Sequence, residues 1–275
     1  MSDGEFATLR QIVRRNIGIS IADGRRSMME SRLNKRLRAL DIPTYKAYIA
    51  HLSAHPAEMQ ELTDRITTNE TYFYRTPRIW AHLNDDLIPA HAAITPRRPM
   101  RVWSAAASTG EEAHTLGVYL EDTRLKVLGF DYEILGTDIS SGVLETARAG
   151  AYIGRPVARF RAEQPHLFEK HMRGNEEDGW TAASAIRSRI RFEQHNLMQP
   201  LRNTSPFDVV LLRNVLIYFA PEDQAVILRH VRQQMHTDGT LIIGESESLK
   251  HIDCDFEQVA PIIYKAAPLG KGRTP

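Results

Sequence analysis

The chain has a single cysteine, Cys254, in 275 residues. One thiol excludes an internal disulfide and any zinc site built on several cysteines. Cys254 sits in HIDCDF, matches no nucleophile pattern, and reads as an inert residue near the terminal strands. Long apolar runs are missing too. None approaches the roughly 20 residues that span a bilayer, so direct membrane insertion is not expected. The start, MSDGEFATLR, is acidic and lacks the apolar core of a secretory signal, and a cytoplasmic protein is the expectation. Net charge is scarce as well: 35 Lys and Arg stand against 34 Asp and Glu, a formal +1. With 42% hydrophobic residues the composition is that of an ordinary globular protein, long enough for one large or two smaller domains.

What is present is unevenly placed. Between Arg10 and Lys46 there are ten Lys and Arg and only three acids, Asp23, Glu30 and Asp41, a local +7. Such a concentration suits an acidic partner, although a solvated helix face has the same look. In MMESRLNKRLRAL the spacing of Met29, Leu33, Leu37 and Leu40 predicts a helix with one apolar stripe, and Arg32, Lys35, Arg36 and Arg38 fall mostly off it. DIPTYKAYIAHL and AEMQELTDRI predict further helices, giving a helical N-terminal domain over 1–85. His51 and His55 stand four apart, a spacing zinc can use, but with no third ligand they read as an ordinary pair, and no metal is expected. IPAHAAITPRRPM is rich in Ala and Pro and aperiodic, which predicts a linker over 86–99.

From residue 100 to 275 the pattern changes. RVWSA (101–105), YEILGTD (132–138), IRFEQHN (190–196), FDVVLLRN (207–214) and GTLIIGE (239–245) read as strands, alternating with helical stretches such as PEDQAVILRHVRQQM. Trp103 inside the first strand reads as core. FEQVA and IIYKAA close the chain as an antiparallel hairpin. This order predicts an α/β fold with a doubly wound, mostly parallel sheet. Residues 152–189 break the rhythm and read as an insertion, either a small subdomain or a partner-binding loop.

In such a sheet, ligands bind beyond the carboxyl ends of the strands. Strand one ends in SAAASTGEE, small residues leading into a helix start. Strand two ends in Asp138, an acceptor for a ribose diol. Strand three ends in His195-Asn196-Leu197, where Asn196 is a candidate reader of an adenine amino group. Strand four ends in Arg213-Asn214-Val215. These exits suggest a nucleoside-containing cofactor. The first loop has one glycine, Gly110, where a dinucleotide fingerprint needs three, and Glu111 and Glu112 at the helix start would repel a pyrophosphate. The ammonium and sulfonium of S-adenosylmethionine suit them better.

TNETYFYR (68–75), RVWSAAASTGEE, LGTDIS, HNL and LLRNVLIYF, in this order and spacing, resemble the CheR family of chemotaxis receptor methyltransferases. The resemblance covers nearly the whole chain. It implies a Rossmann-like methyltransferase sheet behind a helical domain with a basic helix. It also implies transfer of a methyl group from S-adenosylmethionine to glutamate carboxylates on cytoplasmic helices of methyl-accepting receptors, with S-adenosylhomocysteine as product. By the same resemblance Asn69, Thr71 and Arg75 contact the cofactor, and Glu111 or Glu112 holds its amino group. Asp138 binds the ribose, and Asn196, Leu197, Asn214 and Val215 surround the adenine. Arg75 and Tyr218 border the transferring methyl, with Arg75 steering the acceptor carboxylate. Arg25, Arg26, Arg32, Lys35, Arg36 and Arg38 would dock the receptor, and the protein would act as a monomer.

The inserted segment RGNEEDGWTAASA departs from the glycine-bearing, Arg-Val-rich version that grips a receptor pentapeptide, which argues against that tether. Two other readings compete. A methyltransferase acting on nucleic acid would carry a DPPY- or NPPY-type loop where RNVLIYF stands. A module that only senses the cofactor would have lost Arg75, Asp138 or Tyr218.

Overall fold

The computed structural model describes residues 1–94 and 97–268. Four helices come first: α1 (Asp3–Ile17), α2 (Arg26–Ala39), α3 (Tyr45–Ala54) and α4 (Glu58–Ile66). Helix α1 begins with a capping box, in which Ser2 Oγ accepts from Glu5 N and Glu5 reaches back to Ser2 N. It ends at Gly18, whose φ of 79° is left-handed. A Cβ there would lie 2.5 Å from Met198 Cγ and 2.9 Å from Phe219, so glycine is required where this helix meets the sheet domain. The predicted stripe on α2 is buried at Met29, Leu33 and Leu37, each burial contributing about 1.5–3 kcal/mol.

Not all the charge of α2 faces solvent. Arg32 donates to the carbonyls of Ile66 at 2.7 Å and Thr67 at 2.9 Å, closing the end of α4. Arg36 grips Glu58 through two bonds of 2.9 and 2.6 Å, while Tyr48 donates to the same carboxylate. These two arginines hold the helical domain together, whereas Arg25, Lys35 and Arg38 are exposed. Arg26 pairs with Asp3. The rings of His51 and His55 stack at 4.0 Å, and no metal-binding cluster exists among the described residues.

The stretch expected to be a linker is partly helical. Helices α5 (Pro77–His82) and α6 (Ile88–Ala92) run on through a π turn at Leu83–Leu87, and Ile88 and His91 are buried. Alanine favours helix, and Pro89 falls in the first turn of α6, where its missing N–H is tolerated. The wider π turn before it accommodates the proline ring. Thr95 and Pro96 of that stretch lie outside the described residues.

The sheet domain contains β1 (Met100–Ser104), α7 (Glu111–Arg124), β2 (Tyr132–Asp138) and α8 (Ser141–Ala149). After the inserted segment come β6 (Ile190–Gln194), β7 (Phe207–Leu212), α12 (Pro221–Gln233), β8 (Met235–Ile243), β9 (Phe256–Ala260) and β10 (Ile263–Ala266). The inserted segment holds β3 (Ala151–Tyr152), α9 (Arg155–Glu163), α10 (Pro165–His171), β4 (Met172–Asn175), β5 (Gly179–Ala182) and the single turn α11 (Ser184–Arg187). The main sheet runs β6-β2-β1-β7-β8-β10-β9, parallel except for β10, which is antiparallel to β8 and β9. The expected doubly wound sheet and terminal hairpin are both present. Strand order reverses between β1 and β7, the position where such sheets bind ligands.

Strands β3, β5 and β4 form a separate antiparallel sheet. The inserted segment is therefore a folded unit rather than a loop. Its polar sequence conceals an apolar face, because Val157, Phe160 and Phe168 are buried in the main core.

Two cores result, one among the N-terminal helices and one around the sheet, with Ile19 packed against both. Polar bonds join them. Gln60 Nε2 donates to Ile139 O at 3.2 Å, and Asn196 Nδ2 to Asn16 O at 3.0 Å. Asp64 on α4 accepts from Ser141 N and Ser141 Oγ, each at 3.1 Å, and so caps α8 from the other domain. Asp64→Ala leaves that first-turn N–H unpaired. It should cost about 1–2 kcal/mol, read as a lower midpoint in thermal unfolding followed by circular dichroism.

Candidate active site

A cavity of about 400 Å³ opens at the carboxyl ends of β1, β2, β6 and β7, within the size range of small-molecule sites. Its far wall is supplied by the N-terminal domain, from Ile17 to Ala22, and by the segment after α4. Ten of the residues expected at the site line it: Asn69, Thr71, Arg75, Glu112, Asp138, Asn196, Leu197, Asn214, Val215 and Tyr218.

Glu111 is not among the lining residues. Its carboxyl is buried against Thr109 Oγ1 at 2.6 Å, and burial raises its pKa above the ordinary carboxylate range. Glu112 faces the cavity instead. At the start of a helix, neighbouring residues point about 100° apart, so only one of the pair can do so. Glu112 accepts from Ser104 Oγ at 2.7 Å and from Arg213 Nη1 at 2.6 Å. Gly110, with a φ of 94°, begins α7. A Cβ there would meet Ala147 Cβ and the Tyr152 hydroxyl, both at 2.9 Å. This one glycine therefore serves helix packing, and the loop has no phosphate cradle of the dinucleotide type.

Asp138 is buried at the end of β2. One carboxylate oxygen accepts from Ser108 N at 2.9 Å and the other from Ser140 N at 3.0 Å, which fixes the group in position. Burial raises its pKa, against the pull of those N–H groups. His195 also lines the cavity. It contacts Trp103 edge-on at 6.0 Å, and burial lowers its pKa below the ordinary imidazole value. Trp103 is core, as expected, donating to Thr137 Oγ1 at 2.9 Å.

Asn196 lines the cavity with its side chain bonded within the fold. Its amide nitrogen holds Asn16 O, and its oxygen accepts from Met198 N at 3.0 Å, so the side chain ties α1 to the exit of β6. Asn214 adopts a left-handed φ of 57° in the turn after β7. The aromatics after Asn69 divide. Tyr72 lines the cavity with the Arg75 guanidinium 5.7 Å from its ring, a cation–π distance. Phe73 and Tyr74 turn away into the core, where Phe73 meets Tyr152 at 4.9 Å and Phe160 at 6.0 Å. Arg75 Nη1 donates to Glu70 O at 3.1 Å, bracing its own loop.

Two residues were not singled out from sequence. Arg213, 6% exposed, bonds Glu112, Arg75 O at 3.0 Å and Thr76 Oγ1 at 2.9 Å. Its place at a strand exit was the only signal. Glu247, in the turn after β8, binds the backbone of the β7 turn. An acid in a polar loop carries no signal of burial. Of the six basic docking candidates only Arg25 reaches the cavity rim, while Arg26, Arg32, Lys35, Arg36 and Arg38 lie outside it.

The donor set fits S-adenosylmethionine. Two acids, Glu112 and Asp138, face one cavity, suiting an ammonium and a ribose diol, and small Ala105 and Ala106 let a ligand approach β1. Sheet, cavity and donor set together define an S-adenosylmethionine-dependent methyltransferase. Comparison with known proteins narrows this. Residues 69–264 match the family model described as CheR methyltransferase, SAM binding domain, and residues 4–67 match the CheR methyltransferase all-alpha domain. Chemotaxis protein methyltransferase 2 of Pseudomonas aeruginosa is 32% identical over 96% of this chain and 93% of its own length. The chemotaxis protein methyltransferase of Escherichia coli K12 is 32% identical over 96% of this chain and 91% of its own. The chain belongs to the CheR methyltransferase family.

The raised pKa of Asp138 has a measurable sign. Its ionised form costs folding energy, so acid relieves the fold at this residue while neutralising one of the two acids that face the cavity. Affinity for S-adenosylhomocysteine should weaken as pH falls toward that raised value, earlier than for an ordinary carboxylate. Asp138→Asn should lose this acid limb and bind about tenfold more weakly at neutral pH, as isothermal titration would read.

Proposed function

We propose that this protein methylates glutamate side chains on cytoplasmic helices of methyl-accepting chemotaxis receptors, forming glutamate methyl esters. The observation that carries this reading is continuity: Arg25, at the edge of the basic surface, lines the same cavity as Arg75 and Tyr218. An acidic receptor helix lying on α2 would bring its glutamates to that rim.

When bound, S-adenosylmethionine would supply an electrophilic methyl group whose transfer to a carboxylate oxygen would release the neutral thioether S-adenosylhomocysteine, with no proton transferred. A glutamate, with a free pKa near 4.3, is already ionised at neutral pH, and a general base is unnecessary. The protein's contribution is alignment, which supplies roughly 7–11 kcal/mol in favourable cases. In this reading Glu112 holds the amino group and Asp138 the ribose, while Leu197 and Val215 flank the adenine beside Asn196 and Asn214. Asn69 and Thr71 close the donor side. Arg75 steers the acceptor carboxylate with its planar fork, and Tyr218 orients it toward the methyl group.

Receptor docking falls to Arg25, Lys35 and Arg38, because Arg32 and Arg36 are committed to Thr67 O and Glu58 and Arg26 pairs with Asp3. A pentapeptide tether is not part of this reading, and the protein acts as a monomer. Label transferred from methyl-labelled donor to a receptor cytoplasmic fragment should be released by base, as an ester is; base-stable label or label on nucleic acid would overturn the proposal.

Arg75→Ala should lower turnover about 100-fold while unfolding at the same temperature, which melting curves and initial rates check. Reversing Arg25, Lys35 and Arg38 to Glu should raise the KM for receptor about tenfold or more at low salt. The difference from the unaltered protein should shrink as salt rises, because these charges are exposed.

A further inference from the structure

We propose that Glu247 is a positioning residue for methyl transfer, holding the turn after β7 in the shape that presents Asn214, Val215 and Tyr218 to the cavity. Glu247 does not line the cavity and is 9% exposed. Four backbone N–H groups converge on its carboxylate. Oε2 accepts from Asn214 N at 2.9 Å and Gly244 N at 2.5 Å. Oε1 accepts from Val215 N and Leu216 N, both at 2.8 Å. Three of these donors are successive residues, a concave nest of the kind that binds anions. Here the anion is a side chain delivered from the neighbouring strand's exit.

The conformation of the turn needs such a partner. Asn214 is left-handed at φ 57°, and Val215 returns to φ −127°. Asparagine enters this region more readily than other non-glycine residues, and the surroundings select it here over extended alternatives. Charge-assisted bonds to a buried carboxylate are strong enough to do that. The turn after β8 is shaped to deliver the group, since Glu247 N donates to Gly244 O at 3.1 Å. A Cβ on Gly244 would lie 2.7 Å from Asn214 N, Asn214 Nδ2 and Glu247 Oε2, so the two turns touch with no space for a side chain. Tyr218 follows directly, in the 3-10 turn Leu216–Tyr218, and its carbonyl accepts from Ser20 N at 2.8 Å. One carboxylate therefore sets the geometry of a turn that lines the cavity and anchors the strap from the N-terminal domain.

Glutamine cannot replace it. It offers one acceptor oxygen and turns an NH2 group toward N–H donors. This inference rests on the methyltransferase assignment, but titration with S-adenosylhomocysteine needs no acceptor, so a wrong acceptor leaves the test standing. In the full chain, Glu247→Gln should accelerate amide exchange over residues 214–216. It should weaken S-adenosylhomocysteine binding about tenfold and lower turnover about 100-fold, as a displaced wall would. Asp208→Asn is the matched control. Asp208 lies at the other end of β7 and holds Arg98 at 2.8 and 2.5 Å and Arg101 N at 2.9 Å. It should lower the melting temperature while leaving binding and turnover within about twofold of the unaltered protein, because its partners lie outside the cavity. Should Glu247→Gln fail to fold, Gly244→Ala keeps the charge but displaces the turn, and the same losses are expected. Binding and turnover equal to those of Asp208→Asn in the variant that folds would overturn the proposal.

Discussion

A buried arginine joins the parts of this molecule that must meet. Arg213 leaves the end of β7, pairs with Glu112 at the start of α7, and donates to the backbone of Arg75 and the hydroxyl of Thr76. Three segments distant in sequence are thereby fixed to one another around the cavity. Such a pair is weak evidence for stability, since removing two charges from water costs nearly what their attraction returns. Its effect is on registry. With the pair formed, the segment carrying Asn69, Thr71 and Arg75 has one place to lie against the sheet, and Glu112 has one orientation toward the cavity.

The N-terminal domain is part of the same construction. Its contacts with the sheet domain gather at the strand exits: Asn16 at Asn196, Ser20 at Tyr218, Gln60 at Ile139 and Asp64 at Ser141. None of these is a large apolar contact. They are directional bonds to backbone groups that would otherwise be unpaired beside the cavity. The helical domain thus closes a site that the sheet alone would leave open, and Arg25, at the edge of its basic surface, reaches the rim.

Much of this was legible in the chain, for reasons that differ by residue. Apolar runs such as DVVLL and TLII announce parallel strands because both faces are covered. Asp138 could be placed because an acid ending a strand in this fold has few other uses. The segment 88–92 is ambiguous in sequence because its Ala and Pro content suits a linker as well as a helix start, and only burial of Ile88 and His91 decides between them. The insertion hid its core residues among charges. Glu111 and Glu112 were inseparable as neighbours in sequence, and the turn of α7 separated them.

The sequence by itself determined the alternation of strand and helix, the family, and most of the residue types that line the cavity. Hydrophobic period and strand-end chemistry are local, so they survive in one dimension. Only the tertiary structure decided which arginines of α2 are tied into the helical domain, because Arg32 and Arg36 find their partners some 22 to 35 residues away, on and just after α4. It also decided that Asn196 binds α1, that Phe73 and Tyr74 are core, and that Glu247 is a buried anchor. Each of those outcomes depends on which groups are brought together from afar. A charged side chain looks the same in sequence whether water or a backbone nest will satisfy it.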